Sequence, residues 1–344
     1  MDAKDLYQKL KDVKIGGHIC RFTMEKCREL APLINEINQL KKEKNAVILV
    51  HSYVSAEIAY GVGDFVGDSY GLSKDAMNTK ADVIIFCAVK FMAETAKILN
   101  PEKEVLIPSE LNGCTLADSI THIQVQKLKR EFPDYTFVCY INTTADVKAE
   151  CDVCVTSSNC YDIIEAIPND KIMFLPDKLM GKNIIKEMES RGVKKDIKLT
   201  NGTCYVHEEY APEMIDYIRL QYPQAEVLSH PECHPNVIQK SDFIGSTAQL
   251  LKHMKSSKSK EFLLLTECGL SSHFQVEMPE KKIVGTCTLC KYMKSNTLED
   301  IFRVLKNPRP QDRIVIEEST RGKALKSLQE MFRYTENKVA VPAA

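Results

Sequence analysis

The sequence predicts an α/β protein built from three similar units. Short apolar runs alternate with helical stretches along the chain, the pattern of parallel sheets covered by helices. The runs sort into three rows, each opened by a strand that ends in polar residues. Each row closes on a short Gly-containing turn that delivers a cysteine, at Cys114, Cys204 and Cys290, which lie 90 and 86 residues apart. Near-equal spacing is what three copies of one small αβ unit would give, although the rows share negligible identity.

Taken in order, "MEKCRELAPLINEINQLKKEKN" (24–45) has apolar positions at roughly helical spacing despite Pro32 and leads into a strand. The first row of strands is "AVILVH", "DVIIFC" and "EVLIPS"; the second is "TFVCYI", "VCVTS", "KIMFLP" and "IKLTNG"; the third is "AEVLSH", "DFIGS", "FLLLTE" and "KIVGT". In "NTLEDIFRVLKN", Thr297 and Asp300 have capping-box spacing, which places Cys290 just ahead of a helix. The tail "TRGKALKSLQEMFRYTENKVAVPAA" reads as one more helix with a packing role and a frayed end.

With 344 residues and 44% hydrophobic content, the chain has enough material for a large core in two or three compact units. Forty-six basic and forty-seven acidic residues leave a formal charge of -1, which gives no global pull toward nucleic acid or an anionic membrane and favours small-molecule partners. The start "MDAKDLYQKLKDVK" does not resemble a signal peptide and no apolar run is long enough to span a bilayer, so a cytoplasmic protein is expected. Most of the thirteen cysteines are then expected as reduced core residues, Cys87 and Cys139 among them.

Ligands of open parallel sheets bind beyond the carboxyl ends of strands. His51, Tyr53, Tyr140, Asn142, His230 and Glu232 fall there. A lone histidine at a strand end is usually structural, but recurrence in all three rows favours function. "VGDS" (66–69), "VTSSN" (155–159) and "IGST" (244–247) put small hydroxyl residues where a strand or turn enters a helix. Each could be a plain N-cap; together they suggest a site for a substrate with several acidic groups.

The pair Cys287 and Cys290 in "GTCTLCKYMKSN" admits a redox disulfide, half a zinc site or part of an iron–sulfur site. A structural zinc site usually shows two close ligand pairs, and a thioredoxin-like motif would not need Cys114 or Cys204. One cysteine per unit suits a pseudo-threefold centre where three thiolates hold a [4Fe–4S] cube and leave the fourth iron free. Such an iron is a Lewis acid, which points to dehydration or condensation. On this reading Cys287 supports the ligand turn with at most a redox role, as a disulfide with Cys290 on oxidation.

Ordered motifs over nearly the whole chain resemble the quinolinate synthase (NadA) family of de novo NAD biosynthesis: "DFVGDS", "FMAETAKILNP", "GCTLAD", "INTTADVKA", "DVCVTSSN", "FLPDKLMG", "CYVHEEY", "HPEC", "IGST", "TECG" and "CKYMKSNTLEDI". The resemblance implies three αβα domains around a central active site, with an oxygen-sensitive [4Fe–4S] cluster on Cys114, Cys204 and Cys290. It implies a transferase that condenses iminoaspartate with dihydroxyacetone phosphate to quinolinate, releasing phosphate and two waters. By motif, the substrate-binding residues map to His51, Tyr53, Ser69, Tyr140, Asn142, Ser157, His207, His230, Glu232, Ser246 and Thr247. Lys90 stands where the family often has His, and Ser52 where it more often has Asn or Tyr.

Among these, Glu232 is the expected general base, its carboxyl raised toward neutrality in a dry site. His230, His207 and Tyr53 are the other proton-transfer candidates. His51, Ser69, Tyr140, Asn142, Ser157, Ser246 and Thr247 are expected to bind substrate. The expected domains are 1–118, 119–208 and 209–298, followed by a helical extension, 299–344. A functional link to an iminoaspartate-producing enzyme follows from the short life of that substrate in water. The alternatives are another [4Fe–4S] hydro-lyase acting on a different hydroxy acid, and a redox sensor, for which no basic recognition helix is evident.

Overall fold

Three parallel four-stranded sheets carry the fold among the described residues. The structure, a computed structural model, describes residues 1–15 and 20–337. A small antiparallel pairing of β1 (Lys14–Ile15) with β2 (Cys20–Arg21) precedes the sheets. The first sheet contains β3 (Ala46–His51), β4 (Phe65–Gly67), β5 (Val83–Cys87) and β6 (Glu104–Leu106). The second contains β7 (Thr136–Tyr140), β8 (Val153–Val155), β9 (Lys171–Leu175) and β10 (Asp196–Leu199), and the third β11 (Glu226–Ser229), β12 (Phe243–Ile244), β13 (Glu261–Leu265) and β14 (Lys282–Ile283).

Each sheet has one strand order: the unit's first strand lies between its second and third, and its fourth lies beyond the third. The three units are thus copies in topology, and the fold is three similar αβα layers. Strands such as β3 form because a run of branched apolar residues, "AVILVH", is buried on both faces by the helices that connect parallel neighbours. In the third sheet, Val227, Leu263 and Leu265 pack on one face with Ile215 and Ile218. Leu228, Phe262 and Leu264 pack on the other with Leu250 and Phe274. That alternation is the two-residue period of a strand.

Every run named above becomes a strand. β4 was not foreseen as one, because it is a partly exposed edge strand of three residues, with Phe65 and Val66 half open to solvent. The tail forms the helix Glu318–Asn337, which buries Ala324, Leu328 and Met331 in the core shared by the first two sheets. Its expected frayed end lies outside the described residues. Thr297 caps the helix Leu298–Lys306, its hydroxyl accepting the Asp300 N–H at 3.1 Å.

The carboxyl ends of the three sheets face one another. Asp68, Ser158 and Ser246 each follow the second strand of their unit, and they meet: Ser158 and Ser246 both donate to Asp68 Oδ2, at 3.3 Å. Tyr140, ending β7, bonds to Glu232 beyond β11, and Tyr53, beyond β3, bonds to Thr266 beyond β13. Among the described residues, no helix is long and apolar enough to cross a membrane.

Candidate active site

A cavity of about 60 Å³ lies where the three units meet, and Cys114, Cys204 and Cys290 all line it, with Tyr53, Asn142, His207 and Glu232. Each cysteine sits on the turn after the fourth strand of its unit. In the second and third units, parallel bridges from Asp177 to Gly202 and from Glu267 to Thr288 extend the ladder toward these turns. The three thiols share one local device. Backbone N–H groups a little further along the chain point at each sulfur: Leu116 and Ala117 at Cys114, His207 at Cys204, Tyr292 and Met293 at Cys290.

Burial pushes the Cys114 thiol up to about 12 and raises Cys204 and Cys290 as well, while the N–H groups pull toward the thiolate. Three buried sulfurs with oriented donors fit a cationic cluster, whose positive charge would supply the stabilisation of thiolates that the apolar walls withhold. The donor set therefore suits a three-thiolate [4Fe–4S] group.

A continuous hydrogen-bonded network forms the opposite wall. Tyr140 donates its hydroxyl to Glu232 Oε1 at 2.6 Å, and His207 Nδ1 lies 3.1 Å from Glu232 Oε2. His207 Nε2 lies 3.1 Å from Thr266 Oγ1, which is 2.6 Å from the Tyr53 hydroxyl. Thr247 donates to that same tyrosine oxygen at 3.3 Å. The rings of His207 and His230 stack with centroids 4.6 Å apart.

Glu232 departs from expectation. Burial alone would raise it, but His207, His230 and the Tyr140 hydroxyl outweigh burial and bring it down to about 2. Because burial holds His230 down at about 3, and so uncharged, the hydrogen bonds from Tyr140 and His207 are the cause that counts. Glu232 is an ionised anchor, and the expectation of a carboxyl raised toward neutrality is corrected.

His51 and His230 occupy equivalent strand ends and share one geometry. His51 Nδ1 accepts the N–H of Tyr53 at 3.1 Å, and His230 Nδ1 that of Glu232 at 3.4 Å. With Nδ1 an acceptor, each ring carries its proton on Nε2. Burial also lowers His51 to about 3, so both rings are neutral donors.

Asn142 reaches the cavity wall, and Ser157 touches it indirectly through a hydrogen bond to Tyr140. Ser246 is a helix cap: it accepts the Gln249 N–H at 3.3 Å within a capping box, so the bland reading of that hydroxyl holds beside its bond to Asp68. Ser69 opens the helix Ser69–Asn78, whose cap is Asp68. Its side chain is placed at the helix start rather than against the cavity.

Cys287 also needs correction. It forms a disulfide with Cys268, 19 residues earlier, and not with Cys290. The reason is topological: Cys268 and Cys287 follow β13 and β14, and the backbone bond from Cys268 N–H to Thr288 carbonyl at 3.0 Å holds the two segments side by side. Cys290 stays a free thiol, and Cys87 and Cys139 are buried core residues as expected. The strand-end rule missed Asp68, Thr266, Glu267 and Lys294, although all lie in motifs quoted above. Thr266 and Glu267 follow a strand end in "TECG", and that position was the available signal.

The family model for quinolinate synthetase A protein (NadA) matches residues 35–333. A quinolinate synthase of Aquifex aeolicus (strain VF5) is 44% identical over 287 residues, covering 81% of this chain and 87% of that protein. One from Caldicellulosiruptor saccharolyticus is 44% identical over 306 residues, covering 88% and 99%. One from Caulobacter vibrioides (strain NA1000 / CB15N) is 41% identical over 298 residues, covering 85% and 78%. With a match across most of its length and three like sheets closing on one thiol-lined cavity, the chain belongs to the quinolinate synthetase A family.

Proposed function

We propose that this chain is a quinolinate synthase of NAD biosynthesis that condenses iminoaspartate with dihydroxyacetone phosphate, releasing phosphate and two waters. The observation that carries this reading is the convergence of one turn-borne thiol from each unit on a single cavity. Cys114, Cys204 and Cys290 would hold a [4Fe–4S] cluster, which when bound supplies a Lewis acid for the dehydrations. The domains would be 1–118, 119–208 and 209–298 with the extension 299–344, and a separate oxidase or dehydrogenase would supply the short-lived imine.

The chain's own residues divide the work. His51 and His230 present neutral Nε2–H donors suited to carboxylate or phosphate oxygens, and Asn142, Ser157 and Thr247 add uncharged donors. Ser69 and Ser246 contribute chiefly by forming helix starts. Glu232 keeps His207 and Tyr140 in register, and the line Tyr53–Thr266–His207 offers a route for a proton between the cavity and the carboxylate.

Cys204, His207 and Glu232 present donor atoms within 4.8 Å of one another, a possible mononuclear metal set. Both ring nitrogens of His207 are already engaged, and that set leaves Cys114 and Cys290 without a role. The three-thiol reading is therefore preferred. Anaerobic reconstitution with iron and sulfide tests it: the expected result is about four irons per chain and quinolinate from the two substrates. A colourless zinc protein, or dehydration of another hydroxy acid without quinolinate, would overturn it.

A further inference from the structure

Glu267 is completely buried at the end of the third sheet's third strand, yet its carboxylate has four partners. Oε2 accepts the Gly269 N–H at 2.6 Å, and Oε1 accepts the N–H of Cys290 at 3.0 Å. The Lys294 ammonium lies 3.1 Å from Oε1 and 3.2 Å from Oε2, and it donates in addition to the carbonyl of Tyr53. One ion pair thus joins the cysteine turn of the third unit to the strand end of the first.

The contact is tight on its other side. A Cβ on Gly269 would fall 2.5 Å from the Tyr53 backbone, so only glycine lets the helix Gly269–Glu277 approach there. The backbone of Tyr53 is held between Gly269 and Lys294. The second unit offers a comparison: Asp177 stands in the place of Glu267, bridging to Gly202 as Glu267 does to Thr288. Asp177 instead caps its own helix through Met180 N–H, and its Oδ2 has no partner among the described residues. Helix capping alone therefore does not call for a lysine at this position.

We propose that Glu267 and Lys294 are a positioning pair for the active site: Glu267 fixes the Cys290 turn and Lys294 ties it to Tyr53, setting the thiol and the tyrosine hydroxyl relative to each other. Neither residue touches the reacting atoms. The inference rests on the functional reading above for what the site does, while the tie itself is a property of the metal-free chain. Losing the lysine leaves a buried carboxylate without its counter-charge, and both connections loosen together.

The test uses Lys294→Met, Glu267→Gln, their double variant and the conservative Lys294→Arg. In the metal-free protein, iodoacetamide should modify Cys290 about tenfold faster in Lys294→Met than in wild type, through local opening, with Cys114 in the same molecule unchanged. After anaerobic reconstitution, Lys294→Met should keep wild-type iron content, show a shifted EPR signal when reduced, and lose kcat by about 10²-fold. Lys294→Arg should recover most of that loss and serves as the folded control, checked by thermal unfolding. The double variant should be no worse than the worse single one, because both act on one tie.

Unchanged Cys290 reactivity together with an unchanged EPR signal in Lys294→Met, or losses that multiply in the double variant, would overturn the proposal. If wild-type protein takes up no iron or makes no quinolinate, the functional reading fails, while the ratio of Cys290 to Cys114 alkylation still decides the tie.

Discussion

His207 Nδ1 lies 3.1 Å from one oxygen of Glu232 while Tyr140 donates to the other at 2.6 Å, so a single carboxylate joins the second and third sheets at their carboxyl ends. Glu232→Gln keeps the shape and removes the charge. It should lower kcat by about 10²-fold, the scale of a lost acid–base partner, with wild-type iron content. Near-wild-type turnover would remove Glu232 from the proton-transfer machinery.

The same carboxylate has a pH signature. Its acidity is lowered from 4.5 to about 2 in the fold, so it contributes stability that is present above pH 4.5 and is lost as pH falls through about 2. Thermal unfolding against pH should be flatter for Glu232→Gln than for wild type across that window.

The buried histidines act in a higher window. His51 and His230 are lowered from 6.5 to about 3 by burial, so the folded chain binds fewer protons than the unfolded one between these values. Stability should be full above pH 6.5 and decline as pH falls toward 3. His51→Gln should remove about one proton from the slope between pH 4 and 6; an unchanged slope would contradict a neutral buried ring.

Thr266 sits between Tyr53 and His207, at 2.6 and 3.1 Å. In the singly protonated His207 ring, with Nδ1 donating to Glu232, the threonine hydroxyl donates to Nε2 and accepts from Tyr53. Thr266→Val breaks both bonds with little change of volume. A loss of about tenfold in kcat is expected, and Tyr53→Phe combined with Thr266→Val should cost little beyond either alone. Independent, multiplying losses would argue against a shared route.

Cys287→Ser separates the disulfide from the ligand set. It should destabilise the oxidised protein by about 3 kcal/mol, as expected for a loop of this length, and leave iron content unchanged. Cys114→Ser, Cys204→Ser and Cys290→Ser should each lose both cluster and turnover. Denaturant titration and iron analysis of the four variants check this, and full iron in any of the last three would refute the ligand map.

The sequence by itself determined the three-unit organisation, because strand and helix periodicities are local and the turn-borne cysteines recur at regular spacing. Position beyond a strand end also marked His51, Tyr53, Tyr140, Asn142, His230 and Glu232, since a parallel sheet puts such residues on one rim whatever their neighbours. His207 came from the family motif, not from strand position. Only the tertiary structure decided who faces whom: that Cys287 meets Cys268 and not its near neighbour Cys290, and that Asp68 gathers serines from the other two units. It also decided that two hydrogen-bond donors hold Glu232 ionised against the pull of burial, and that Lys294 reaches Tyr53. Chain spacing fixes which residues share a rim, but charge state and pairing depend on the distances between rims, which exist only once the three sheets have closed on one another.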